Sequence, residues 1–126
     1  MKQIQIQLDK VENSLVEIEK NLTDTDETLL YKIMFIAEEI ITNLARHADF
    51  EKKTPLVLLS LERDNTLLTF KDNTKKFNML EYPDPKIDAD IESRELGGLG
   101  IFLTKKYAKK ISYSYEDGFN ILRISL

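Results

Sequence analysis

The 126 residues carry 18 Lys and Arg against 22 Asp and Glu, a net charge of −4, with one histidine and no cysteine. That balance excludes a protein that holds nucleic acid by general phosphate attraction, and the missing thiols exclude disulfides, thiolate nucleophiles and thiolate metal sites. Length predicts a single domain, residues 1–126, and the absence of any membrane-length apolar run or secretory leader predicts a cytoplasmic protein.

Lys2 to Leu8 alternates, with Ile4, Ile6 and Leu8 on one face, and reads as a half-buried strand. From Asp9, a candidate N-cap, the period turns helical through Val11, Leu15, Ile18 and Leu22. Thr23-Asp24-Thr25-Asp26 punctuates the chain and caps a longer helix to about Ala48, whose broad apolar face implies burial against more than one neighbour. Leu56 to Glu62 and Thr66 to Lys71 flank Asp64-Asn65 as a hairpin. Asp72 to Leu96, with Pro83 and Pro85, has no sustained period and reads as a long irregular connection of the kind that is usually functional or mobile. A helix to about Lys110 follows, then strands Ile111 to Tyr115 and Phe119 to Leu126 around Glu116-Asp117-Gly118. The order β-α-α-β-β-loop-α-β-β predicts an α+β two-layer sandwich: a mixed, mostly antiparallel sheet with three helices on one face.

Three features carry chemistry. Gly97, Gly98 and Gly100 place three of the four glycines within four residues, in front of a helical pattern. Glycines admit close backbone approach, and a helix N-terminus behind them favours an anion such as a nucleotide phosphate. A tight turn into a packed helix accounts for the same glycines. On the long helix, Glu39, Asn43 and His47 fall at i, i+4, i+8 and share a stripe. A carboxylate one turn from a carboxamide suits magnesium-dependent phosphate chemistry, the amide oxygen meeting the hard cation and the carboxylate taking a hydroxyl proton. A solvated polar edge would show the same spacing. Asp72, closing an apolar strand, suits acceptance from an exocyclic amine such as that of adenine, or simply the capping of a turn.

Glu-x-x-x-Asn on a helix, Asp after a strand, and GGxG further on occur here in one order. With Glu39-Ile40-Ile41-Thr42-Asn43-Leu44-Ala45-Arg46-His47, Glu81-Tyr82-Pro83-Asp84-Pro85, Arg94-Glu95-Leu96-Gly97-Gly98-Leu99-Gly100 and Asp117-Gly118-Phe119-Asn120, the chain resembles the Bergerat-fold ATPases. This is the superfamily of gyrase B, histidine kinases and MutL, and within it the chain is most similar to anti-sigma serine/threonine kinases of the RsbW type. The resemblance implies ATP and Mg²⁺ as cofactors, Asn43 as the metal ligand, Glu39 as general base toward a protein serine, and Asp72 as reader of the adenine amine. It implies that Gly98 and Gly100 cradle phosphate, that Arg94 contacts it, and that Asn120 stands near a polar residue beside the nucleotide. His47 matches a family histidine and is read as structural; Glu38 is set aside as the base by its spacing from Asn43. The implied partners are a sigma factor and a STAS-type anti-anti-sigma protein, with a homodimer as the assembly and no direct nucleic-acid contact. The chain departs from the family at Asp72-Asn73-Thr74, where Asp-x-Gly is usual. Thr74 there is expected to resist the required φ/ψ and to intrude on the base. The alternative function is therefore a protein-binding module with weak or no ATP binding, using Tyr107, Tyr113, Tyr115 and the neighbouring lysines.

Overall fold

The computed structural model describes residues 1–81 and 96–126. The elements are β1 (Lys2–Ile6), α1 (Val11–Lys20), α2 (Glu27–His47), β2 (Val57–Glu62), β3 (Leu67–Asp72), a 3₁₀ turn at Met79–Glu81, α3 (Leu96–Tyr107), β4 (Lys110–Glu116) and β5 (Phe119–Ser125). The strands form one sheet in the order β1-β2-β3-β5-β4, and the fold is the expected α+β sandwich of five strands and three helices. Every pairing is antiparallel, so the expected mixed sheet becomes a purely antiparallel one. The cause is topological: β5 folds back between β3 and β4, and the two strands joined through α3 never touch.

Alternation along each strand builds the core in rows. One row crosses the sheet as Ile4, Leu59, Phe70, Leu122 and Tyr113, and the next as Ile6, Val57, Asp72, Asn120 and Tyr115. The first row and its neighbours meet Ile18 and Leu22 of the α1 region and Ile33, Ile36, Ala37, Ile40 and Ile41 of α2 in one continuous cluster. The second row turns polar at its centre. There the apolar core ends and the site begins.

Turn chemistry fixes the hairpins. Arg63, Asp64 and Asn65 take φ of 53°, 54° and 66° between β2 and β3, and Asp117 and Gly118 take 52° and 82° between β4 and β5. These left-handed values match the twist of the strands they join. The expected cap at Asp9 is not found. Lys10 precedes α1 without a side-chain bond, and the helix is instead tied back by the Ser14 hydroxyl, which accepts from the Gln7 amide at 2.9 Å. Asp72 closes β3, as expected, and the irregular connection follows it. Most of that connection, with Pro83 and Pro85, lies outside the described residues.

Candidate functional site

The long helix α2 is started by Asp26, whose carboxylate accepts from the Leu29 amide at 3.2 Å. It is held in rotation by Ile33, Ile36, Ala37, Ile40 and Ile41, all buried. With that face fixed inward, Glu39 and Asn43 fall on the flank, one turn apart and partly buried, while His47 ends the helix exposed. Arg46, in the same last turn, complements the helix dipole. Asn43 makes no side-chain hydrogen bond among the described residues.

Glu39 borders a cleft of about 280 Å³ between α2 and α3, with Phe35, Thr42, Arg46, Gly100 and Leu103 among its walls. Burial pushes the Glu39 carboxyl above the usual glutamate range, the neighbouring Glu38 charge adds to this, and Arg46 opposes it. Glu38, set aside on spacing, is thus not remote: it too lines the cleft. At the far end of α3 the Phe35 and Tyr107 rings meet edge to face, 5.5 Å apart, and lock the helices together.

The glycine cluster does not precede α3 but lies within it. Gly97 and Gly98 are in its first turn and Gly100 is its fifth residue. Each glycine weakens a helix by about 1 kcal/mol relative to alanine, so local preference argues against this placement and tertiary contact overrides it. Gly100 is buried, and its carbonyl accepts from the Thr104 hydroxyl at 2.9 Å. A Cβ at position 100 would overlap the Glu39 side chain. The structure therefore sets Gly100 against Glu39, and Gly98 at the start of the helix. Arg94 lies outside the described residues.

At the other end of the site, Asp72 and Asn120 face each other across β3 and β5. Asp72 Oδ1 accepts from Asn120 Nδ2 at 3.0 Å and from the Thr74 amide at 3.1 Å. Burial raises the Asp72 carboxyl above its ordinary range, and these two bonds hold it down in part. Asn120 Nδ2 also donates to the carbonyls of Thr74 and Lys75, both at 3.2 Å. Its Oδ1 accepts from the Phe77 amide at 2.9 Å and from the Tyr113 hydroxyl. One amide thus orients the carboxylate and clamps the segment leaving β3. The sequence offered only a loose signal for Asn120, since all of its side-chain partners except Tyr113 lie 43 to 48 residues away in the chain.

Thr74 corrects the expectation of backbone strain. Its φ is not among the positive ones, so no glycine-like conformation is forced upon it. Its hydroxyl donates to the Asp49 carbonyl at 2.6 Å, and the Lys75 amide donates to the same oxygen at 2.8 Å. The side chain is turned toward the segment after α2, where it serves as a tie.

These residues fit a magnesium nucleotide in kind. An uncommitted amide oxygen one turn from a carboxylate is a hard donor set, and magnesium takes few protein ligands when phosphates supply the rest. No group of three or more His, Cys, Asp or Glu side chains among the described residues forms a self-sufficient metal centre. No described helix is long and apolar enough to cross a membrane. A search of curated proteins finds no match. The sequence does match the histidine kinase-like ATPase domain from residue 4 to residue 126, with the Glu39–Asn43 stripe, the Asp72–Asn120 pair and the glycines of α3 all inside the match. With nearly the whole chain covered, the protein belongs to the histidine kinase-like ATPase domain family.

Proposed function

We propose that this ATP-binding regulatory domain is a serine/threonine protein kinase of the anti-sigma type. It sequesters a sigma factor and phosphorylates a STAS-type antagonist protein, working in the cytoplasm as a homodimer. The observation that carries the catalytic part is Glu39: a carboxylate with raised basicity, partly buried beside an open cleft and one turn from Asn43. A general base works best when its pKa approaches the working pH, and burial moves Glu39 in that direction.

When bound, Mg-ATP supplies the phosphoryl group and the cation that offsets its charge. Asn43 would hold the cation through its amide oxygen, and Asp72, oriented by Asn120, would accept from the adenine amine. Gly98, at the start of α3, and Arg94 serve the phosphates, where backbone N–H groups and the helix dipole favour anions. The cleft would admit the acceptor hydroxyl, and Glu39 would take its proton as the oxygen bonds to the γ-phosphorus and the bond from that phosphorus to the β–γ bridging oxygen breaks, ADP leaving. Positioning and electrostatics supply most of the acceleration. The alternative of a binding module without nucleotide rested on Thr74, and its hydroxyl is committed to Asp49.

Phosphoryl transfer from labelled ATP to a STAS-type protein tests this reading, with Glu39→Gln as the control. The expected result is transfer reduced by about 10²–10⁴-fold, with Mg-ATP affinity largely retained. Undiminished transfer in Glu39→Gln removes Glu39 as the base. Failure of the wild type to bind Mg-ATP removes the enzyme altogether.

A further inference from the structure

Position 100 breaks a local rule. Gly100 lies inside α3, and its φ is not in the left-handed region, so the backbone there has no use for glycine's freedom. Alanine would make the better helix. What alanine would add is a methyl group, and the three atoms nearest to that methyl are Oε2, Cδ and Cγ of Glu39, all too close for a real contact.

We infer that Gly100 is a positioning residue: the space left by its missing side chain is the seat of the Glu39 carboxylate, which the α2–α3 contact holds in place beside the cleft. This rests on the reading of Glu39 as the base, and it gives Gly100 a task other than cradling phosphate. The obstruction created by a methyl is the end of a flexible side chain, not backbone. Relief comes by swinging Glu39 aside, so Gly100→Ala folds with its carboxylate displaced.

The test is made on the intact protein. In a ¹³C NMR titration of the glutamate carboxyls, the Glu39 signal is assigned by its loss in Glu39→Gln. In Gly100→Ala that signal is expected to titrate nearer the ordinary glutamate range, because the displaced carboxylate turns toward water. Mg-ATP affinity by calorimetry is expected to stay within about threefold while kcat for transfer falls by about 30-fold or more. An unmoved Glu39 titration, an unchanged kcat, or a loss of Mg-ATP affinity of about tenfold or more overturns the inference.

Thermal melting guards against a folding failure. In a Glu39→Ala background the three atoms nearest to the added methyl are gone, so any Tm lost by Gly100→Ala alone is expected to be recovered in the double variant. Equal losses in both backgrounds overturn the inference. If the wild type neither binds Mg-ATP nor transfers phosphate, the proposed function falls, and the titration and melting arms still decide the Gly100–Glu39 contact.

Discussion

Asp72 is buried at the end of β3, with both of its described donors on one oxygen. Its carboxyl is raised first by burial, and the Asn120 and Thr74 bonds only partly offset this. A carboxyl whose folded pKa exceeds its unfolded value holds its proton more tightly in the folded state. Its contribution to stability is complete below the unfolded value, about 3.9, and is lost as pH rises through the folded one. Asp72→Asn is therefore expected to be more stable than wild type at pH 7, the difference closing toward about pH 3, as followed by urea denaturation. The same variant is expected to bind Mg-ATP more weakly by about 1.5–3 kcal/mol, measured by calorimetry, because a charged acceptor is gone. Thr74→Gly restores the residue usual in the family yet removes the tie to Asp49. The expected outcome is a loss of about 2 kcal/mol of stability with no gain in nucleotide affinity. A gain in affinity would mean that the threonine obstructs the base. Thr74 shows why such roles are hard to read in a sequence: β-branching suggested strain, while the deciding partner sits 25 residues away.

At the scale of elements, α2 was the most legible and α3 the least. Asp26 and the recurring isoleucines announce α2 to within a residue at each end, because cap, period and burial agree. The two residues assigned to the phosphoryl-transfer end, Glu39 and Asn43, inherit their positions from that agreement. Asp26→Ala is expected to cost about 1 kcal/mol in chemical denaturation while leaving Mg-ATP affinity unchanged, since the cap lies more than three turns from Glu39. In α3 the glycines favour a break in local terms, and at Gly100 the backbone's place inside the helix goes with its close approach to Glu39 of α2. Nothing in a linear pattern reveals that a missing methyl on one helix makes room for a carboxylate on another. Pairing has the same limit. Both hairpins were readable from Asp64-Asn65 and Asp117-Gly118, whereas the Asp72–Asn120 register depends on β5 entering between β3 and β4.

For the whole molecule, the decisive feature is that a single apolar cluster joins both layers, drawing on β1, β2, β3, β5, α2 and the α1 region. One cooperative unfolding transition is expected, with far-ultraviolet dichroism and tyrosine fluorescence coinciding; separated transitions would divide the site from the core. Nucleotide binding is linked to that transition. Mg-ATP at a hundredfold excess over its Kd is expected to add about 2.7 kcal/mol, seen as a rise in Tm that grows with ligand concentration. No rise at saturating nucleotide would leave the fold intact and remove ATP from its function.

The strand order has a further consequence for biosynthesis. β5 comes after every other described element, yet it is the neighbour of both β3 and β4. A ribosome that has released residues only as far as β4 displays β3 with an open hydrogen-bonding edge and Asp72 without its amide partner. Nascent chains stalled there would be sticky and unable to recognise a base, and competence would arrive abruptly when Phe119 to Ser125 emerge.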